Sequence, residues 1–333
     1  MFKISIGLIF IVFAHTAIAQ QNIPLTELAG QYRFDEGMII QFTVKQNRLY
    51  LITAGNPLQE MGATGKNQFR STTLKEDLFT FESNENKVIT LTIANDRGIL
   101  KGTKTTDPVV DHSEVMDSIL TGRRSSEHFE CWFNASDAPH IDSLLLYLEK
   151  DYARILKDFK LSSLPTTRVK IYPDLKTFHL SINQPDAPPQ VLATAFGKDE
   201  FRMVSPSQAG ADILPFISHE FIHCVHLNID YSPNNPRWLW EGVAMYESGW
   251  FMDPKETDVI KNKQYPSLAS LNNGLEYSLG YVIIEAIKDL WNFDTVIELI
   301  KLRGNVEKTV QLTQPEFDKK VFDQIYNKYL SAK

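Results

Sequence analysis

Three features of the sequence predict an α+β protein of two domains. Residues 28–104 contain short β-branched and aromatic runs separated by turn residues, as in an all-β unit. Residues 127–204 alternate predicted strands and helices, whereas the elements predicted from residue 213 onwards are all helices. A small sheet followed by a helical half is the order of an α+β domain. A length of 333 residues suits two such domains.

Residues 1–19 have the three parts of a secretory signal peptide. Lys3 gives a positive start, an apolar run follows, and Ala17-Ile18-Ala19 forms a small-x-small cleavage site. The apolar run is too short to span a membrane, and no cysteine follows the cleavage site, so we expect no membrane anchor after cleavage. The segment predicts a secreted or periplasmic protein that is cleaved after Ala19.

The net charge and the two cysteines bear on the partners and on the redox state of the protein. A net charge of −7 argues against nucleic acid or an anionic membrane as the main partner. The two cysteines, Cys131 and Cys224, could pair in an oxidising compartment, and two buried free thiols are the alternative. Neither the pairing nor the oligomeric state follows from the sequence.

Residues 20–104 are predicted to form an all-β accessory domain, a small barrel or sandwich. The predicted strands are 30–34, 38–44, 48–52, 77–81 and 88–93. The aromatic side chains are expected in the core rather than on a ligand surface: Tyr32, Phe34, Phe42, Tyr50, Phe79 and Phe81. No catalytic constellation is visible, so substrate recruitment, latency or a structural role stay open.

The rest of the chain divides into a linker and a second domain. Residues 105–126 are polar and charged and are predicted to be a linker, with a short helix at 113–120 as an option. Residues 127–333 form the second domain. Its predicted strands are 128–133, 168–172, 191–196 and 200–204, and its predicted helices include 137–159, 175–180 and the apolar segment around residue 220.

The second domain contains the motif His219-Glu220-Phe221-Ile222-His223 within an apolar run that predicts a buried helix. Side chains four residues apart lie on one helix face, so the two imidazoles can point at one ion. Catalytic zinc takes three protein ligands and keeps one position open. Glu220 falls beside the ion, where a carboxylate can take a proton from water. The motif therefore predicts one catalytic Zn²⁺.

Glu241 is the predicted third ligand, 18 positions after His223. Residues 228–236 are rich in Asn, Asp, Ser and Pro and predict a turn, after which a second helix carries Glu241 in its first turns. His226 is the competing ligand, on nearly the same face as His219. It lies about 10 Å farther along the helix, which is too far to share an ion with bonds of about 2 Å. We therefore expect His226 in the core or behind a ligand.

The sequence around these residues resembles that of a known protein family. H-E-F-I-H at 219–223 followed by W-L-W-E-G-V-A-M-Y at 238–246 is similar to the gluzincin zinc peptidases. The likeness is to their peptidase MA-like group, related to the aminopeptidase N and thermolysin lineages, and covers residues 127–333. It implies a gluzincin-like domain with a small sheet and a helical half around the zinc helix. It also implies zinc held by His219, His223 and Glu241, with Glu220 as general base.

The chain departs from the aminopeptidase N branch at two places. Those relatives usually have one more residue before the third ligand and an asparagine next to it, where this chain has Trp240. They also carry G-x-M-E-N, whose glutamate holds the substrate amine. Residues 196–200 lack that motif, although Asp199 or Glu200 could substitute. In gluzincins the strand before the zinc helix is a sheet edge that pairs with extended substrate, and the resemblance implies this role for strand 200–204. We favour an endopeptidase, with an aminopeptidase as the alternative.

Tyr277 completes the predicted catalytic set. In Y-S-L-G it resembles the tyrosine that helps zinc stabilise negative charge on the carbonyl oxygen in aminopeptidase N relatives, with Tyr281 as runner-up. Glu247 is a candidate for orienting a zinc-bound histidine. The sequence thus predicts an exported zinc peptidase acting on peptides or proteins. A non-enzymatic binding or scaffold protein with a vestigial metal site is the rival, although the intact Glu220 argues against it.

Overall fold

The computed structural model describes residues 23–330, except 35–38, 54, 72–76, 85–88, 96–97, 110, 211–212, 235 and 272. The predicted signal peptide at 1–19 lies outside the described residues. Within the described part, helices that combine enough length and apolar character to cross a bilayer are not found.

A closed antiparallel barrel follows the short helix α1 (Leu25–Leu28). Its strands are β1 (Gly30–Phe34), β2 (Ile39–Lys45), β3 (Arg48–Ile52), β4 (Gln59–Gly65), β5 (Gln68–Ser71), β6 (Leu78–Ser83), β7 (Ile89–Asn95) and β8 (Gly98–Lys104). Strand β1 pairs with β8, with Tyr32 opposite Lys104, so the sheet closes on itself and has no open edge. The all-β prediction is confirmed, and the architecture is a barrel rather than a sandwich.

Aromatic side chains fill the barrel. Tyr32, Phe42 and Phe81 are fully buried and meet edge to face, with ring centroids 5.2 to 5.7 Å apart. The hydroxyl of Tyr32 donates to the carbonyl oxygen of Leu28 at 2.8 Å, so this buried polar atom has a partner. Of the six aromatic residues expected in the core, Tyr50 alone is only half-buried.

The second region contains a five-stranded mixed sheet in the order β12-β13-β11-β10-β9. Its strands are β9 (Gly122–Ser125), β10 (Phe129–Phe133), β11 (Thr167–Tyr172), β12 (Ala193–Ala195) and β13 (Glu200–Val204). The three central strands are parallel, and the two edge strands run antiparallel to their neighbours. Two expectations change as a result. The segment 105–126 is not merely a linker, since it supplies edge strand β9, and the edge beside β13 is β12.

Helices cover both faces of this sheet and continue beyond it. They are α2 (Ser113–Asp117), α3 (Ala138–Asp158), α4 (Leu175–Ser181), α5 (Pro206–Ala209), α6 (Ile213–Ile229), α7 (Arg237–Ser248), α8 (Asp258–Lys261), α9 (Leu275–Ser278), α10 (Gly280–Leu290), α11 (Phe293–Lys301), α12 (Val306–Val310) and α13 (Gln314–Tyr329). Side chains alternate across the strands. Ile171 and Met203 face the core of α3 and α6, whereas Tyr172 and Val204 face α4. The region is therefore α+β, as predicted.

Candidate metal centre

Helix α6 carries the H-E-x-x-H motif through the middle of the core. Every residue from Ile217 to Leu227 is buried, because the helix lies between the sheet, α3 and α7. A helix that is apolar on all sides suits such a position. The polar side chains that it does carry are therefore held away from water.

The three predicted ligands converge on one point. His219 Nε2 and His223 Nε2 lie 3.0 Å apart, and Glu241 Oε2 lies 3.3 Å from the first and 3.5 Å from the second. A zinc ion with bonds of about 2.0–2.1 Å holds tetrahedral ligand atoms about 3.3 Å apart. The three atoms thus have the spacing of three corners of a zinc tetrahedron. This is the one such group of potential ligands in the part of the chain that the structure describes.

Buried atoms without partners support the same interpretation. Oε2 of Glu241 and Oε2 of Glu220 have no hydrogen-bond partner among the described residues, although both are buried. An ionised oxygen in that condition is costly unless a cation or a hydrogen-bond donor reaches it. A cation between the two histidines would satisfy Glu241 Oε2. The residues therefore fit a metal ion.

The charges around this point are strongly coupled. Burial would raise the pKa of Glu241, but the neighbouring imidazoles of His219 and His223 hold it well below its usual range. Burial opposes protonation of His219, yet Glu241 and Glu220 together raise its pKa. Burial lowers the pKa of His223 to about 4. These shifts favour the ionised form of Glu241 and the neutral form of His223, which are the forms that bind a metal ion.

Glu220 stands beside the three ligands rather than among them. Burial, reinforced by the charge of Glu241, raises the pKa of Glu220 to about 7. The backbone N–H of Ala195 in β12 hydrogen-bonds to its carboxylate. A carboxylate with a pKa near neutrality can both take and return a proton at physiological pH.

Aromatic rings fix the orientation of both histidines. Trp240 stacks on His223 with centroids 4.1 Å apart and an interplanar angle of 5°. Trp250 meets His219 edge to face at 5.9 Å. Trp240 also contacts His226, with ring centroids 4.9 Å apart. His226 lies outside the ligand group, as expected. Sequence reasoning noted Trp240 only as a departure from one branch, whereas the structure gives it a packing role.

Tyr277 lies where its hydroxyl donates to Glu241 Oε1 at 3.0 Å. It also accepts a hydrogen bond from Arg237 Nη2 at 3.2 Å, while Arg237 Nε donates to Glu276 Oε1 at 2.8 Å. Sequence reasoning missed Arg237 and Glu276. A signal existed for Arg237, because it precedes Glu241 by four residues and therefore shares its helix face. No comparable signal existed for Glu276.

Other candidates lie away from the metal centre. Tyr281 packs against Tyr246 and Phe251 instead of facing the ligands. Glu247 pairs with Arg154 at 2.8 Å, so it does not orient a histidine. Asp199 and Glu200 are held in ion pairs with basic side chains of β11 and β13, and so neither is free to bind a substrate amine.

The metal centre opens into a cleft between α7 and β12. Glu220, Glu241 and Tyr277 line one side, and the edge strand β12 lines another. The loop between β3 and β4 contributes Gly55 and Asn56 to the same cleft. The backbone N–H of Gly55 donates to the carbonyl oxygen of residue 182 at 2.8 Å, which anchors the barrel there. The barrel is therefore part of the cleft wall.

No protein-family model matches this chain, and no significant match to a curated protein is found either. What the site can do is therefore argued from its geometry and chemistry.

Proposed function

We propose that the protein is a zinc-dependent peptidase of gluzincin type. The observation that supports this most directly is the convergence of His219, His223 and Glu241 within 3.5 Å, with Glu220 beside them. Two imidazoles and one carboxylate are a usual ligand set of catalytic zinc in peptidases. The position of α6 between a small sheet and a helical half agrees with the arrangement that the sequence resemblance implies.

The protein's own groups divide the chemistry between them. His219, His223 and Glu241 would hold the ion, which supplies Lewis acidity for acyl transfer to water. Glu220 takes the proton of the attacking water at its unpartnered Oε2 and passes it to the leaving amine. The hydroxyl of Tyr277 lines the same cleft and donates its single hydrogen to Glu241 Oε1. It would have to turn that hydrogen towards the carbonyl oxygen to stabilise the negative charge that develops there.

Strand β12 favours a peptide as the substrate. The ladder to β13 uses the backbone of residues 192 and 196, so the alternating residues Ala193 and Ala195 turn their backbone groups away from β13. The N–H of Ala195 bonds to Glu220, and both Ala193 and Ala195 line the cleft. An extended peptide can add to such an edge through backbone hydrogen bonds. Residues 1–19 support export, and the proposed partners are peptide or protein substrates.

The charges in the cleft disfavour an aminopeptidase. Among the described residues that line it, the carboxylates are Glu220 and Glu241, and both have roles at the metal. A free substrate amine would need a further carboxylate. Asp199 and Glu200, which could have substituted, are engaged in ion pairs. Cleavage away from the amino terminus is the proposed activity.

The test is digestion of a diverse peptide mixture by the zinc-loaded protein, read by mass spectrometry. Glu220→Gln should retain zinc and lose activity by about 10²–10⁴-fold, the usual contribution of a general base. Glu247→Gln is the matched control, because Glu247 is also a buried glutamate on these helices and its pKa is likewise raised to about 7 by burial. It should remain active. Turnover by Glu220→Gln would refute the proposal, and a zinc-loaded protein without turnover would favour a binding role.

A further inference from the structure

The cleft contains one basic side chain whose role is not explained by the metal. Among the described residues that line it, Arg237 is the only lysine or arginine, and its side chain is 47% exposed. It lies at the start of α7, with Nη2 3.9 Å from Glu241 Oε1. Since Glu241 Oε2 belongs to the ligand group, the guanidinium lies beside that group, and Arg237 lines the cleft.

Hydrogen bonds fix the orientation of the Arg237 guanidinium but occupy only some of its N–H donors. Nε donates to Glu276, whose carboxylate is buried and also accepts the backbone N–H of Gly274. Nη2 donates one hydrogen to Tyr277. In the described part of the chain, no partner contacts Nη1, so the end of the fork retains three N–H donors. Such a preorganised fork matches a carboxylate in two parallel hydrogen bonds.

We propose that Arg237 binds a carboxylate of the substrate, one residue away from the bond that is hydrolysed. The inference rests on the proposed peptidase function and names its substrate class. The guanidinium lies next to Glu241, and one residue of extended chain spans about 3.3–3.6 Å. A carboxylate at Arg237 therefore belongs to the residue adjoining the metal centre. Its source is either the free carboxyl terminus of a peptide or an acidic side chain at that position.

Binding can be measured without turnover. The host is zinc-loaded Glu220→Gln protein, and the probes are three acetylated tripeptides studied by calorimetry. They are Ala-Ala-Leu with a free carboxyl terminus, the same peptide as its amide, and Ala-Asp-Leu as its amide. The host should bind at least one of the two carboxylates about tenfold or more tightly than the neutral amide, in line with charge-assisted hydrogen bonds. The free acid and the aspartate peptide distinguish the two sources.

Variants of Arg237 distinguish recognition of a carboxylate from a structural role of this residue. In the same host, Arg237→Met should bring the affinity ratio of carboxylate to amide close to one. Arg237→Lys should leave a reduced ratio, because it keeps the charge and loses the fork. A structural role would weaken both ligands and leave the ratio unchanged, which would overturn the proposal. So would equal affinity for all three peptides.

The outcome is separable from the test of hydrolysis. If the wild-type protein has no turnover but the affinity ratio of carboxylate to amide peptides depends on Arg237, carboxylate recognition is supported and the peptidase function is rejected. If the protein hydrolyses peptides but the Glu220→Gln host binds the carboxylate and amide peptides equally, the peptidase function is supported and the role of Arg237 is rejected. Zinc content, measured for every variant, shows whether the metal centre is intact.

Discussion

Among the described residues, buried polar side-chain atoms without a partner are found in the region after residue 105, which holds the metal centre, and not in the barrel. In the barrel, the buried hydroxyl of Tyr32 bonds to Leu28, and the hydroxyl of Ser71 bonds to Gln59 at 2.9 Å. Nine buried polar side-chain atoms lack a partner among the described residues, and all nine lie after residue 130. Five of them are on α6 and α7, in His219, Glu220, His223, His226 and Glu241.

This difference shows which part of the fold contains groups that lower its stability. Partnerless buried polar groups are rare because each costs free energy, and in natural proteins they mark places where another requirement dominates. A barrel filled by apolar and aromatic side chains has no such requirement. At the metal centre, Glu241 Oε2 is the partnerless atom that lies within 3.5 Å of Nε2 of both His219 and His223. Burial of this oxygen is unfavourable until a cation arrives. The contrast gives measurable consequences.

The largest expected effect is that of zinc on the two regions. An ion present at about a thousand times its Kd stabilises the state that binds it by about 4 kcal/mol. Because all three ligands lie on α6 and α7, zinc should slow amide hydrogen exchange there and leave β1–β8 nearly unchanged. Exchange measured by mass spectrometry, with and without zinc, checks this. His223→Ala is the control and should show no zinc effect. Equal protection of the barrel would mean that the two regions open together.

A smaller loss is expected from crowding α7 against α10. Gly242, next to Glu241, faces Gly280, and a Cβ on Gly280 would lie 2.9 Å from the Cα of Gly242. Gly280→Ala must push the helices apart, at a cost of about 1–3 kcal/mol, and should weaken zinc binding because Glu241 and Tyr277 flank this contact.

The barrel offers a matched control for that variant. A Cβ on Gly102 would lie 2.7 Å from the ring of Phe34. Gly102→Ala should therefore also destabilise, but without any change in zinc affinity. Urea unfolding and competition titration of zinc measure the two quantities. Equal weakening of zinc binding by both variants would show that lost stability alone explains it.

What the sequence could and could not predict follows from distance along the chain. His219, Glu220 and His223 sit on one helix, so spacing alone fixed their relation. Glu241 could be placed beside them because only a short predicted turn separates its helix from theirs. The segment 191–196 was predicted as a strand, but local sequence does not show which strand it pairs with, and the family resemblance led to β13 being taken for the edge. Strand β9 carries two arginines, of which Arg123 is exposed and Arg124 is half-buried; this suits an edge strand but resembles a polar linker in sequence.

Pairings between distant residues were beyond sequence reasoning. Glu247 meets Arg154, 93 positions away, and Glu200 meets Lys170 across two parallel strands. Nothing local in the sequence favours either pair over a role at the metal centre. The contribution of Gly55 and Asn56 to the cleft also depends on how the barrel docks.

Removal of the stacked ring on His223 should have a moderate effect confined to the metal. Trp240→Leu frees the imidazole to rotate, and loss of such support behind a ligand typically costs about 10–100-fold in metal affinity. Trp291→Leu is the matched control, since Trp291 stacks on Phe317 elsewhere. It should lower stability and leave zinc affinity unchanged. An unchanged affinity in Trp240→Leu would show that helix α6 alone orients His223.

The smallest effect at neutral pH is expected at His226, the partnerless group that the metal does not use. His226→Leu should leave zinc affinity unchanged and raise the stability of the metal-free protein by about 1 kcal/mol, because it removes a buried Nδ1 without a partner. The gain should grow as the pH falls. Burial, aided by the charge of His223, lowers the pKa of folded His226 to about 3, whereas an unfolded histidine takes up a proton near pH 6.5.

Between those two pH values the unfolded chain binds more protons at this position than the folded protein, so stability falls with falling pH. Leucine has no such loss, and the difference between the two proteins should widen from pH 6.5 downwards. Urea unfolding at pH 7, 6 and 5 with chelator present measures it. A difference that stays constant over this range would mean that His226 has the same pKa in the folded and the unfolded protein. Weaker zinc binding by His226→Leu would instead return it to the ligand group, and the contrast between the barrel and the metal-centred region would then include one more functional group.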